Sequence, residues 1–362
     1  MKIAIMGAGV SGLTCALMLE KHGIEADIFE KRGEVGDRFN YIEAMYSMLH
    51  YPFDDAIRLF SEQYDIHIKP SSNIQKTYVY SENESACIDG HLGFLTMRGK
   101  HVNSVEKQLE QQLKGKVQFH ADVTYDELSK EYTHIVLAAG DARYTSHLQQ
   151  YDTAFSSTFL GATVKGQFDK TEVATWFDNR IAPKGMGYLL PHNDLEATLV
   201  TVYPLYPENE GIDKQELWHQ FKKKAEHDLG QHLEIIDPFV VTDYIVGKSR
   251  YPRIGNTFFI GDCFGAVTPF LGFGQFSAML TGVYAALDLA GKDNYERLAQ
   301  PLYQNYHDSL TLRRAIEKLD NQGLDLVTKS LHLQVVERAL TGRNFNPLKL
   351  LSRTLRPFAR VT

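Results

Sequence analysis

The sequence predicts an α/β chain: a parallel sheet flanked by helices, interrupted by an inserted antiparallel sheet and followed by a helical C-terminal region. Three observations carry this. An apolar run, a glycine turn, a helical repeat and a second apolar run open the chain within residues 2–29, which is the order of a βαβ unit. Strand-like runs separated by polar turns, over 158–168, 187–191 and 196–203, fill the middle, as in an antiparallel sheet. From about Tyr295 onward the pattern is helical with no strand signal. At 362 residues the chain suits two domains, or one with a large insertion, at roughly 150 residues each.

The elements follow in order. Residues 2–6 form a first strand ending at Gly7, Leu13, Ala16, Leu17 and Glu20 repeat at helical spacing, Gly23 supplies a C-cap, and 26–29 is the second strand. Aromatics and methionines crowd residues 39–53, where they either line an apolar pocket or fill core. A strand is expected over 91–97, and Ser104 is the N-cap of a helix carrying Val105, Leu109 and Leu113. Short strands over 117–123, 135–139 and 258–261 extend the parallel sheet, and a core helix runs from Gln275 to Leu289. The expected domains are 1–60 with 95–145 and 246–292, then 61–94 with 146–245, then 293–362.

Composition excludes several classes. Hydrophobic residues make up 43% and charged residues 23%, with 27 Gly and 12 Pro, so disorder, collagen-like repetition and coiled coil do not describe it. The net charge of −7 offers no field for nucleic acid. Three cysteines without a CxxC argue against a disulfide framework or structural zinc, and a cytoplasmic location is the expectation. Residues 1–23 superficially resemble an export signal, but Gly7, Gly9 and Gly12 break its apolar segment. Residues 263–287 carry no charge, yet Gly265, Pro269, Gly272 and Gly274 break that run, so a buried loop leading into a core helix is expected rather than a membrane span.

The chemistry starts at Gly7-Ala8-Gly9-Val10-Ser11-Gly12. A strand feeds this turn and a helix leaves it, so free N–H groups and the helix dipole converge on an anion. Gly7 permits the turn, Gly9 lets a pyrophosphate approach, and Gly12 lets helix and strand pack closely. Glu30, 18 residues past Gly12, stands where a carboxylate accepts hydrogen bonds from ribose hydroxyls. Lys31 and Arg32 follow beside the adenosine site. Dinucleotide binding is the expectation.

A second segment narrows the choice. Residues 261–278, with Gly261, Asp262, Gly265, Pro269, Gly272, Gly274 and Ala278 at the fixed positions, closely resemble the GDxxGxxxPxxGxGxxxA fingerprint of FAD-dependent enzymes of the aromatic hydroxylase and geranylgeranyl reductase superfamily. The resemblance implies a Rossmann-like FAD-binding domain, with Asp262 at the ribityl or pyrophosphate region and the Gly272 to Gly274 backbone under the flavin pyrimidine edge. Glycines ahead of a helix N-terminus would then present N–H groups to the N1/O2 side of the ring. The apolar strand ending in Ala139-Gly140 resembles the one passing the adenosine half of FAD, and Arg98 the arginine before the helix under the cofactor.

The specific activity is less legible. Gly140-Asp141 reverses the Asp-Gly pair of the NADPH-dependent hydroxylases. The WxWxIP motif of flavin halogenases is absent, the tryptophans being Trp176 and Trp218. The YxWxFP motif of the prenyl reductases survives only in degenerate form over 185–191, with Met186 in the Tyr position and Tyr188 in the Trp position, facing substrate. No cysteine lies between Glu34 and Tyr51 to match the reactive cysteine of some archaeal reductases. The expected function is hydride transfer from reduced flavin to a hydrophobic alkene, with NADPH or another electron donor. The alternatives are a flavin monooxygenase acting on an aromatic or hydrophobic substrate and a non-catalytic flavin-binding protein. No catalytic acid is singled out among the 14 histidines.

Residues 326–362 carry seven Lys and Arg against Glu337 alone. Leu348, Leu351 and Leu355 lie at helical spacing beside Lys349, Arg353 and Arg356. Such a helix suits peripheral contact with an anionic membrane surface or docking on the chain's own acidic body.

Overall fold

A computed structural model describes residues 1–333 except 38, 51, 52 and 54, together with 349, 350 and 353. Two sheets organise these residues. The first has six strands in the order Arg253–Ile254, Thr257–Phe259, His134–Leu137, Ile3–Met6, Asp27–Phe29 and Val117–Gln118. All neighbours are parallel except the short hairpin at Arg253–Ile254. Ile3 and Ile5 are buried on one face and Ala4 on the other, as a parallel sheet covered on both sides requires.

The helix Val10–Lys21 crosses behind this sheet and packs on Gln275–Leu289 at backbone contact. A Cβ on Gly282 would lie 2.4 Å from the Ser11 carbonyl oxygen, so the helix axes approach as closely as they do because position 282 has no side chain. Nearly every residue of Gln275–Leu289 is buried, which explains the charge-free run without a bilayer. Among the described residues no helix is long and apolar enough to cross a membrane.

The second sheet has eight strands: Glu234–Ser249, Tyr151–Lys165, Glu196–Pro204, Met186–Pro191, Glu172–Trp176, Ser72–Tyr80, Ser85–Arg98 and Tyr41–Tyr46. Its pairs are antiparallel except Ser72–Tyr80 with Glu172–Trp176. The helices Tyr295–Ile316 and Asn321–Ser330 follow. The aromatic run divides here. Tyr41–Tyr46 pairs with Ser85–Arg98 in the larger sheet, whereas Ala56, Leu59, Phe60, Ile66 and Ile68 join the core of the smaller. The chain therefore crosses between sheets on both sides of residue 60.

Several elements depart from the sequence pattern. The strand expected over 117–123 shrinks to Val117–Gln118, and His120 sits at φ 55°, a left-handed conformation that ends a ladder. Glu234–Ser249 has no sequence expectation behind it, being an edge strand with three register shifts and Pro238 within it. Bulges scramble the two-residue alternation from which strands are read. The basic tail helix around Leu348, Leu351 and Leu355 lies outside the described residues.

Ser104 caps Val105–Gln112, accepting the Lys107 N–H, and is itself fully buried. Replacing Ser104 with alanine is expected to lower stability by about 1 kcal/mol, the usual value of an N-cap. A urea midpoint unchanged from wild type would show that the cap contributes nothing.

Candidate active site

The two sheets enclose one elongated cavity of about 320 Å³, within the range of small-molecule sites, roughly 300–1,000 Å³. Its floor is the C-terminal end of the parallel sheet, where ligands of open α/β folds bind. Gly7, Gly9, Val10 and Ser11 form one side, and Ala139 and Gly140 the adjacent edge. Gly261, Asp262, Pro269, Gly272 and Gly274 form the facing side. Glu30, Lys31 and Arg98 line it as well, and Tyr188 comes from the larger sheet. Both glycine segments thus face one space, although some 250 residues of chain separate them.

The glycines divide by what surrounds them. Gly12 does not line the cavity; a Cβ there would sit 2.0 Å from the Gly7 carbonyl oxygen, so it serves helix-to-strand packing. Gly7 has φ 112° and abuts the Ala138 carbonyl oxygen. Gly9 is the opposite case, because a Cβ there meets nothing within 4 Å and its φ of −80° suits any residue. Gly272 is also open, at φ 76°. Open glycines at the mouth of a helix leave room for a ligand's phosphate against the backbone.

Polar groups set the ends. Glu30 accepts N–H groups from Ala8 at 2.9 Å and Arg32 at 3.0 Å, which ties the first turn to the end of the second strand. Asp262 lies in the turn Gly261–Cys263 and accepts the Tyr244 hydroxyl at 3.2 Å. Asp141 does not line the cavity: it caps Ala142–Ser146 through the Arg143 N–H. Burial pushes the Tyr188 phenol up, and Glu43 adds to the shift, so Tyr188 is a neutral hydrogen-bonding group beside apolar walls.

Two N–H groups of the second glycine segment have partners within the chain: Gly272 donates to the Thr268 carbonyl at 2.9 Å, and Gly274 to Glu43 Oε1 at 3.1 Å. Gln275 donates to the same oxygen at 2.9 Å. The helix end therefore carries a carboxylate of the chain itself. Glu43 also pairs with Arg98, whose Nε holds Glu106 Oε1 at 2.8 Å. Burial opposes the charge on Arg98, yet Glu106, Tyr41 and Glu43 raise its pKa well above the ordinary value. Arg98 thus lines the cavity while its donors serve two carboxylates.

Several lining residues carry no sequence expectation. Glu43 is one of them; Tyr41, two residues earlier on the same strand, belongs to the aromatic run expected to line a pocket or fill core. Phe239 was hidden in the bulged strand; its ring stacks on Phe39, in the loop before Tyr41–Tyr46, with centroids 4.3 Å apart, and both rings line the cavity. Arg313, in the helix Tyr295–Ile316, stands over Phe155 at 4.5 Å and pairs with Glu317.

A Rossmann-like domain whose cavity is covered by a large, mostly antiparallel sheet defines the class as a two-sheet α/β fold. The family model of the NAD(P)-binding Rossmann-like domain matches residues 5–69. Over 43 residues the sequence is 54% identical to 4,4'-diapolycopen-4-al dehydrogenase of Metabacillus indicus, a match covering 12% of this chain and 9% of that protein. The fold extends further. A geranylgeranyl bacteriochlorophyll reductase-like protein of Thermoplasma acidophilum superposes with TM-score 0.74 at 15% identity, covering 99% of this chain and 98% of that one. The flavin-dependent brominase Bmp2 gives TM-score 0.67 at 15% identity, covering 99% and 98%. These likenesses show that the fold is shared with those proteins over nearly the whole chain.

The residues present fit a dinucleotide in the nucleotide half of the cavity, where Gly9 leaves space and Glu30 is held in place. Gly9→Ala is expected to leave the melting temperature within about 2 °C of wild type, since the added methyl meets no atom of the described residues within 4 Å. FAD affinity should fall at least about tenfold, the equivalent of 1.4 kcal/mol. Fluorescence titration with FAD checks this; unchanged affinity would place the pyrophosphate elsewhere.

Proposed function

We propose that this chain is an FAD-dependent reductase that passes a hydride to a hydrophobic alkene. FAD, bound and reduced, supplies that hydride, and the alkene takes it at one carbon while a proton adds to the other. The observation that carries the reading is one cavity lined by both glycine segments and by apolar side chains of the larger sheet. The nucleotide half, with Gly7, Gly9 and Glu30, would hold the adenosine and pyrophosphate. Asp262, fixed by Tyr244, would face the ribityl chain. Phe155, Phe159, Met186 and Val202 present carbon to the remaining space, which selects an apolar substrate and keeps water from the reacting atoms. Tyr188 lies between these regions, where a neutral phenol can orient a substrate group without adding charge.

The test is anaerobic turnover. Purified protein should carry flavin absorbance or acquire it on reconstitution with FAD. After chemical reduction, mixing with a polyunsaturated isoprenoid should reoxidise the flavin and saturate one double bond, as read by mass spectrometry. A long-lived oxygen adduct in stopped-flow spectra, with no alkene reduction, would instead establish the monooxygenase alternative. Flavin that no donor reduces would indicate a binding protein.

A further inference from the structure

We infer that Glu43 sets the charge on the cavity wall where the helix Gln275–Leu289 begins, so that a flavin bound beside it meets a carboxylate as well as the helix end. The inference rests on the flavin reading above and concerns residues of this chain alone. Gly274 and Gln275 both donate to Glu43 Oε1, at the start of the fifteen-residue helix Gln275–Leu289. The positive end of that helix is neutralised by a charge the protein itself provides.

The surroundings hold Glu43 in this position. Its strand is in register with Ser85–Arg98, Glu43 opposite Thr96, and Thr96 Oγ1 donates to Gln275 Oε1 at 2.8 Å. Ile42 and Ala44 on either side are buried in the apolar cluster of the larger sheet. A one-residue slip would expose both, so the register is fixed. The charges do not cancel, because one guanidinium, Arg98, serves both Glu43 and Glu106, and Glu106 Oε2 is buried without a hydrogen-bond partner among the described residues. Two carboxylates and one guanidinium carry a net formal charge of −1 next to the cavity.

Two-electron reduction of a flavin adds negative charge at the N1/O2 edge, and a neighbouring carboxylate disfavours a like charge. Glu43 therefore weakens binding of reduced FAD relative to oxidised FAD, which lowers the midpoint potential and makes the bound reduced cofactor a stronger hydride donor. Glu43→Gln keeps an acceptor for both N–H groups and removes the charge. The dissociation constants of oxidised and reduced FAD would be measured anaerobically for wild type and variant, with the midpoint potential from dye equilibration. Glu43→Gln is expected to tighten reduced FAD about tenfold relative to oxidised FAD, which for two electrons is a rise of about 30 mV. Glu106→Gln, which leaves Arg98 to Glu43, shifts the ratio in the same direction and serves if the first variant does not fold. A ratio within twofold of wild type in the folded variant, or a shift toward tighter oxidised FAD, overturns the inference. Uptake of FAD by wild type is a separate readout: a wild type that never takes up flavin rejects both readings, and a flavin-bound wild type with an unmoved ratio rejects Glu43 alone.

Discussion

Arg98→Ala is expected to destabilise the protein by about 3–5 kcal/mol, the cost of removing one partner from a buried ionic cluster. Arg98 and Glu43 are 12% and 14% exposed, and Glu106 is 6% exposed, so water cannot take the place of the guanidinium. The substitution leaves two carboxylates close together with no cation between them, and like charges in low dielectric repel strongly. Arg98→Lys should recover only part of the loss, because an ammonium on a flexible stem cannot hold two carboxylates with the geometry of a planar fork. Denaturant unfolding distinguishes the outcomes. If Arg98→Ala matched wild type, the cluster would be dispensable, and the position of Glu43 would need another cause.

Gly12→Ala is expected to cost about 3 kcal/mol and to abolish FAD uptake. The added methyl would lie 2.0 Å from the Gly7 carbonyl oxygen and 3.2 Å from the Ala138 side chain. Neither backbone can yield without moving the strand Ile3–Met6 at the centre of its sheet, so the helix Val10–Lys21 must lift away. Overpacking of that kind reaches the upper end of the usual 1–3 kcal/mol. Lifting also withdraws the helix N-terminus from the cavity, so stability and cofactor uptake fall together. Gly9→Ala, three residues earlier, should weaken FAD binding alone. Calorimetry alongside FAD titration of the two variants separates a packing glycine from a ligand-facing one; identical behaviour would mean that the turn does not divide its glycines in this way.

The two glycine segments were legible because their requirements are local. A left-handed φ at Gly7, close packing at Gly12 and a helix start after Gly274 each follow from a few consecutive residues. The helix Gln275–Leu289 and the strand Glu196–Pro204 were legible for the same reason: an apolar pattern of the right length and period has few alternatives.

Residues whose role depends on partners far along the chain could not be read in this way. Glu43 looks like an ordinary acidic residue between aromatics until the larger sheet sets it against residues 274 and 275. Arg98 reads as a cofactor contact, and only the fold shows that it also holds Glu43 and Glu106. Phe239 lies in a strand whose register shifts three times, so its face is set by pairing rather than alternation. The sequence by itself therefore determined a glycine turn between strand and helix, a second glycine segment ahead of a buried helix, and the class of fold. Tertiary structure alone decided which charge faces the cavity, because hydrogen bonds between distant segments depend on distances that the chain acquires only when its two sheets close on each other.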